Sequence, residues 1–117
     1  MPVAHKSIIV TGAGSGIGEG TARHLAALGA LVTVNDINAE AGERVAAEIR
    51  ATGGQAHFVR ADVTLSTDVQ ALVAAAVQQY GRLDCVVNNA GWTHRNRPLL
   101  EVSEADFDRV YAINVKS

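Results

Sequence analysis

Cysteine is almost absent from this sequence of 117 residues, which contains a single thiol, at Cys85. One cysteine excludes an internal disulfide, and it also excludes a metal site built from several cysteines. Proteins of oxidising compartments commonly carry disulfides, so this composition fits a reducing environment. We therefore expect a cytoplasmic protein with no metal centre.

A strong charge of one sign and a long apolar run are also missing. Ten Lys and Arg stand against twelve Asp and Glu, for a formal net charge of −2, and the basic residues are scattered. This distribution excludes the basic surface that nucleic-acid binding needs. The longest mostly apolar run, Leu25 to Val34, is about half the length of a membrane span. The apolar stretch at the N-terminus is too short for a secretory signal. We expect a soluble protein that binds neither nucleic acid nor membrane.

The length and the balance of residue types are those of one globular domain. A chain of 117 residues with 48% hydrophobic and 19% charged residues has enough apolar side chains to bury a core of its own. We therefore expect a single domain over residues 1–117.

Four short apolar runs, at residues 7–10, 31–34, 56–59 and 85–87, are separated by segments in which apolar residues recur at helical spacing. In the first of these segments Ile17, Thr21, Leu25 and Leu28 share one predicted face. Strands that alternate with helices form parallel sheets through right-handed crossovers. The sequence thus predicts an α/β fold with an open parallel sheet.

A further helix is expected near the C-terminus. The Ser-x-x-Asp sequence at residues 103–106 matches a capping box, and Phe107, Val110, Tyr111 and Asn114 then follow at helical spacing. A buried amide on such a face needs a structural partner or a function. If this segment is helical, the fourth strand keeps an unpaired edge, and we expect residues 1–117 alone to self-associate.

A glycine-rich stretch, TGAGSGIG at residues 11–18, links the first strand to the first helix. Gly12, Gly16 and Gly18 stand where a tight turn, the approach of a pyrophosphate and helix packing require glycine, while Gly14 is expected to add flexibility. The spacing matches neither GxGxxG nor a Walker A motif. A turn that binds nothing is the alternative, but the position between a strand and a helix favours a nucleotide.

Asp36 follows the second apolar run, about 20 residues after the glycines, where a carboxylate accepts hydrogen bonds from the adenosine ribose. A 2′-phosphate at about 4 Å from this charge would be repelled by roughly 4 kcal/mol per unit charge. The sequence therefore favours NAD over NADP. Asp36 could also cap the next helix, a role that is compatible with ribose binding.

Together these residues resemble the short-chain dehydrogenases/reductases. The resemblance is carried by the glycine-rich stretch, Asp36, ADV at 61–63, NNAG at 88–91 and AINVKS at 112–117, and it covers the whole chain. It implies a Rossmann-type, doubly wound parallel sheet and an NAD(P)-dependent oxidoreductase. The reaction would transfer hydride reversibly between nicotinamide and a small alcohol or carbonyl substrate, in a homo-oligomer.

The resemblance also implies individual roles. For two asparagines in these motifs, Asn88 and Asn114, a purely structural role is the alternative to a role in the site. The implied sites are the pyrophosphate-binding Gly12, Ser15, Gly16, Ile17 and Gly18, the ribose-binding Asp36, the adenine-binding Asp62 and Val63, the cofactor-lining Asn89, Ala90 and Gly91, and the catalytic Asn114.

The serine and the Tyr-x-x-x-Lys pair that the resemblance requires for catalysis are not found. Tyr80 is followed four residues later by Asp84, and Tyr111 by Val115. We therefore expect an N-terminal portion of such an enzyme, inactive by itself. A stand-alone, non-catalytic dinucleotide-binding module and a folding or assembly fragment are the alternatives.

Overall fold

Parallel strands form one sheet in a computed structural model, which describes residues 3–89 and, for residues 111–114, the backbone alone. Between the first four strands lie three helices, α1 (Gly16–Ala27), α2 (Ala39–Ala51) and α3 (Ser66–Tyr80). The strands are β1 (Ser7–Val10), β2 (Leu31–Asp36), β3 (Gln55–Arg60), β4 (Cys85–Asn88) and β5 (Tyr111–Asn114). Their order across the sheet is β3-β2-β1-β4-β5, so the predicted α/β fold is confirmed.

Both faces of the sheet are covered, as successive residues of β1 illustrate. Ile8 and Val10 pack in one cluster with residues of α1 and α2, whereas Ile9 packs in a second cluster with residues of α3. Side chains alternate between the two faces of a strand, and a strand buried on both faces is apolar throughout. The doubly wound arrangement predicted from the sequence is therefore present.

The predicted apolar face of α1 is correct only in part, because Leu25 packs partly buried against the core but two other members do not. Ile17 and Leu28 are 50% and 51% exposed, and the buried residues of this helix are Gly18, Ala22 and Ala26. Small residues at i, i+4 and i+8 allow the helix to approach the sheet closely, and Ile17 and Leu28 then lie on the outer surface. In α2, Val45 and Ile49, which also lie at helical spacing in the sequence, are buried.

The helix predicted to include Tyr111 and Asn114 is also wrong at these positions. Tyr111–Asn114 is a strand that pairs in parallel with β4, with Tyr111 opposite Cys85 and Asn114 opposite Asn88. Unpaired backbone groups at a sheet edge favour the addition of a strand, and the pairing removes the free β4 edge that the sequence predicted. The capping box at residues 103–106 lies outside the described residues.

Candidate functional site

The carboxyl ends of the strands place the predicted site residues along one edge of the sheet. β1 leads into the glycine-rich stretch, β2 ends at Asp36, and β4 ends at Asn88. The crossover from β1 runs to β2 on one side, whereas β4 pairs with β1 on the other side. Ligands of open α/β folds bind at such a switch point, outside the carboxyl ends of the strands.

The glycine-rich loop is held to the sheet by its backbone. The Thr11 N–H donates to the Val87 carbonyl at 3.0 Å, and the Ala13 N–H donates to the Asn35 carbonyl at 2.8 Å. Gly12 and Gly16 have φ angles of 61° and 59°, in the left-handed region that favours glycine. The loop conformation therefore depends on glycine at these two predicted positions.

The start of α1 is open to the outside of the protein. Ser15, Gly16 and Ile17 are exposed, and a Cβ on Gly16 would meet no atom within 4 Å. The Ser15 side chain makes no capping hydrogen bond, so it does not occupy the N–H groups of the first turn. These N–H groups and the helix dipole together attract an anion, and the free space allows one to approach.

Gly18 brings the first helix, the loop and β4 into contact. A Cβ on Gly18 would overlap the Gly12 carbonyl oxygen and would lie 2.6 Å from Asn89 Nδ2. Asn89 is buried, and its Oδ1 has no hydrogen-bond partner among the described residues. Buried polar atoms normally have partners, so Asn89 Oδ1 keeps an acceptor position that no described residue fills. Ala90 and Gly91 lie outside the described residues.

Asp36 is fixed by two backbone donors. The Gly14 N–H donates to Oδ2 at 2.8 Å, and the Asn38 N–H donates to Oδ1 at 2.9 Å. The alternative role as a helix cap is wrong, because Asn38 is the N-cap of α2 and accepts from the Ala41 N–H at 3.0 Å. A carboxylate has about four acceptor positions, so Asp36 keeps lone pairs for further donors.

Gly14 has a packing role that the expectation of added flexibility did not include. A Cβ on Gly14 would lie 2.7 Å from Asp36 Oδ2 and 3.0 Å from the Ala41 Cβ. A side chain there would push the carboxylate and the second helix away from the loop. The spacing between Gly14 and Asp36 was the available signal in the sequence, but the contact between the two residues is visible only in the folded structure.

Asn35 is a structural residue that sequence reasoning missed. Its buried side chain donates from Nδ2 to the carbonyls of Val59 and Ala61, at 3.1 and 3.2 Å, while its own carbonyl accepts from Ala13. The Asn35 side chain joins the end of β2 to the end of β3, and the Asn35 backbone carbonyl joins β2 to the loop. A polar residue at the end of an apolar run was the available signal.

Asp62 and Val63 lie in a turn after β3. Asp62 Oδ1 accepts from the N–H and the hydroxyl of Thr64, at 3.0 and 2.6 Å, and these hydrogen bonds hold the pKa of Asp62 below its usual value. Asp68 Oδ2 accepts from the Asp62 N–H at 2.8 Å. Val63 packs against the core cluster beneath α3, so both residues are held at the predicted edge.

Asn88, the last residue of β4, and Asn89, which follows it, differ in their surroundings. The Thr11 hydroxyl lies 3.2 Å from Asn88 Oδ1 and accepts from the Asn89 N–H at 2.8 Å. Asn88 therefore ties two strand ends together, which agrees with the structural alternative for this residue. Asn114 is opposite Asn88 in the sheet, so its backbone lies at the same edge as the other predicted residues.

The described residues offer neither a metal site nor a membrane-spanning helix. No group of three or more His, Cys, Asp or Glu within the described part of the chain could hold a metal ion. Among those same residues, no helix is both long and apolar enough to cross a membrane. The open helix start and the fixed carboxylate instead fit a ligand with an anionic centre and hydroxyl groups.

Comparisons with known proteins agree with this geometry. The family model described as short chain dehydrogenase matches residues 6–117. A 4-formylbenzenesulfonate dehydrogenase from Comamonas testosteroni is 52% identical over 109 residues, which are 93% of this chain and 43% of that protein. The chain thus spans less than half the length of the curated relatives that it matches.

Solved structures show the same likeness. A 7α-hydroxysteroid dehydrogenase, in complex with NADH and 7-oxo glycochenodeoxycholic acid, is 42% identical with a TM-score of 0.76 over 92% of this chain and 41% of its own. A short chain dehydrogenase/reductase from Burkholderia phymatum in complex with NAD is 36% identical, with a TM-score of 0.76 over 78% of this chain and 32% of its own.

Proposed function

The chain belongs to the short chain dehydrogenase family, and on this premise we propose that the protein is an NAD-dependent oxidoreductase. The proposed reaction is reversible hydride transfer between the nicotinamide and a small alcohol or carbonyl substrate. The observation that carries the proposal is the Asp36 carboxylate, held at the carboxyl edge of the sheet by the Gly14 N–H at 2.8 Å. It stands beside an open helix start, as a bound dinucleotide requires.

The residues fit the two ends of the adenosine diphosphate portion. The exposed backbone of Ser15, Gly16 and Ile17 at the start of α1 would hold the pyrophosphate, because free N–H groups and the helix dipole favour anions. Asp36 would accept from the ribose hydroxyls. Asp62 would accept from the adenine amino group, since an anionic carboxylate is a strong acceptor.

Asp36 is also the basis for a preference for NAD over NADP. A phosphate on the ribose 2′-oxygen would face this carboxylate, and unit charges at about 4 Å near a protein surface repel by about 4 kcal/mol. Neither Ser15 nor Ile37, the residues beside the loop and the acid, provides a compensating cation. The solved relatives with NADH and NAD agree with this choice.

The chemistry of hydride transfer belongs to the bound nicotinamide, and the protein must orient the substrate and move its proton. We propose Asn114, at the carboxyl end of β5, as a residue of that proton relay. Residues 1–117 contain no Tyr-x-x-x-Lys sequence, and we propose that they form one cofactor-binding domain that is inactive alone. A homo-oligomer in the cytoplasm stays a prediction from the sequence.

Titration calorimetry of the full-length protein tests the cofactor assignment. NAD should bind more tightly than NADP, and Asp36→Ala should weaken NAD by roughly 10- to 100-fold, because a hydrogen bond to a charged group contributes about 1.5–3 kcal/mol. Glu40→Ala is the matched control, since it removes the same charge from an exposed position in the first turn of α2. Equal affinities for the two cofactors in the unmodified protein would refute the proposed preference.

A non-catalytic dinucleotide-binding module is the second candidate, because the Asp36 carboxylate and the open start of α1 would serve cofactor binding without turnover as well. The two functions differ in turnover. Full-length protein that binds NAD but oxidises or reduces no alcohol or carbonyl in a broad substrate panel would support the module, whereas turnover would support the oxidoreductase.

A further inference from the structure

Arg44 contacts the same glycine that anchors Asp36. Its Nη2 atom donates to the Gly14 carbonyl at 3.3 Å, while the Gly14 N–H donates to Asp36 Oδ2 at 2.8 Å. Ala41, one turn earlier in α2, is the residue against which Gly14 packs, and residues three apart lie on the same helix face. A guanidinium and a carboxylate are thus held on either side of one loop residue.

The other contacts of Arg44 are long. Its guanidinium lies 3.2 Å from Glu19 and 3.4 Å from Glu48, and the side chain is 48% exposed. Arg23 binds the same two glutamates more closely, with Nη2 at 2.7 Å from Glu19 and a shorter contact with Glu48. Arg23 therefore satisfies most of the acidic charge, which leaves Arg44 the less committed of the two cations.

We infer that Arg44 is a specificity-determining residue, a cation that would hold a ribose 2′-phosphate and whose effect is cancelled by Asp36. This inference rests on the proposed function and extends it from the acid that disfavours NADP to a cation already in place for NADP. The guanidinium has five N–H donors in a geometry suited to phosphate. Removal of the negative charge at Asp36 should then be sufficient to admit NADP without the introduction of a new basic residue.

Among the described residues, Arg60 is a second cation near this end of the sheet. It ends β3 and is opposite Asp36 in the strand pairing, and its charge contributes to the lowered pKa of Asp62. Within residues 3–89 the Arg60 side chain forms no ion pair with an acid and no hydrogen bond with the glycine-rich loop. The direct contact with Gly14 therefore favours Arg44 over Arg60 as the phosphate ligand.

A double-mutant cycle in the full-length protein tests this inference by calorimetric titration with NADP. Asp36→Asn should lower the Kd for NADP at least tenfold, and Arg44→Gln in the same background should abolish most of that gain. Arg23→Gln is the matched control, because it breaks the same ion-pair network without a contact to Gly14 and should change the Kd less than threefold. Arg60→Gln should likewise have little effect.

Two further measurements separate a charge effect from damage to the loop. Arg44→Gln in the unmodified background should change the Kd for NAD less than threefold, whereas a merely structural role would weaken NAD and NADP alike. The affinity of Asp36→Asn for NADP should also fall more steeply with salt than that of Asp36→Asn/Arg44→Gln, because screening acts on exposed charges.

The outcomes distinguish this inference from the function on which it rests. Failure of the unmodified protein to bind NAD would overturn the proposed function. Two results would overturn the role of Arg44 alone, provided that the unmodified protein binds NAD. In the first, Asp36→Asn does not increase the affinity for NADP; in the second, the increase persists when Arg44→Gln is added. If Arg60→Gln removes the increase in NADP affinity and Arg44→Gln does not, the 2′-phosphate is bound by Arg60, and the inference for Arg44 is overturned.

Discussion

A single methyl group at Gly18 should damage both the fold and the cofactor site. The Cβ of an alanine would overlap the Gly12 carbonyl oxygen, and it would lie 2.8 Å from the Gly12 carbonyl carbon and 2.6 Å from Asn89 Nδ2. The two Gly12 atoms belong to the backbone of the loop, where Gly12 has a φ angle of 61°. They cannot rotate away as the end of a flexible side chain would. Either the loop or the first helix must move.

The expected cost follows from this crowding. Overpacking of a filled site costs about 1–3 kcal/mol, and a clash with a backbone carbonyl belongs at the upper end, about 3 kcal/mol. Replacement of glycine by alanine in a helix returns about 0.5–1 kcal/mol. The free energy of unfolding should therefore fall by about 2 kcal/mol in Gly18→Ala.

Gly20 offers a control within the same helix. A Cβ on Gly20 would meet no atom within 4 Å, so Gly20→Ala should gain the helix propensity without a clash and stabilise the protein by about 0.5–1 kcal/mol. Urea denaturation of the two full-length variants measures both values, and NAD titration should show weaker binding in Gly18→Ala only. If Gly18→Ala is as stable as Gly20→Ala, the close contact between the first helix and the loop is refuted.

Three further predictions concern the loop, the core and the chemistry. Gly16→Val should weaken NAD binding, because the side chain would occupy the open space at the start of α1, and it should also strain the loop, because a β-branched residue rarely adopts a φ of 59°; unchanged affinity in a titration would mean that the loop is only a turn. Burial lowers the pKa of His57, whose Nε2 lies 2.8 Å from the Thr33 hydroxyl, so the unfolded chain binds protons first as the pH falls. Stability should therefore decrease below about pH 6.5, and urea midpoints should lose much of this dependence in His57→Gln. Residues 1–117 alone should oxidise no NADH with carbonyl substrates, and clear turnover beside a buffer control would show that other residues perform the chemistry.

The sequence was sufficient for the elements whose signal is local. Apolar runs such as Ile8-Ile9-Val10 predict buried strands because a strand covered on both faces has no polar side. The alternation with helices then limits the topology to a parallel sheet. The position of Asp36 relative to the glycines placed both at one edge of that sheet before any contact was known.

The errors arise where the neighbouring elements decide. Periodicity placed Ile17 and Leu28 on the face of α1 that packs on the sheet, but it carries no information on how closely a helix approaches, and the small residues Gly18, Ala22 and Ala26 are buried instead. Helical spacing likewise suggested a helix through Tyr111, whereas the structure pairs Tyr111–Asn114 with β4. Edge pairing is a property of the sheet and is not visible in a short window of sequence.

The contact between Gly14 and Asp36 explains why a single acid can serve both the fold and the ligand. Each carboxylate oxygen already accepts one backbone N–H, from Gly14 or from Asn38, and each keeps a second lone pair for another donor. The two N–H donors orient the carboxylate before any ligand arrives, so the ribose does not have to pay the entropy of ordering this side chain. The same arrangement means that Asp36→Ala removes a loop contact together with a ligand contact. Asp36→Asn keeps one acceptor oxygen and replaces the other by an NH2 group, so it removes the charge and one of the two backbone hydrogen bonds. Asp36→Ala removes both hydrogen bonds, and the difference in cofactor affinity between the two variants measures the contribution of the hydrogen bond that asparagine keeps.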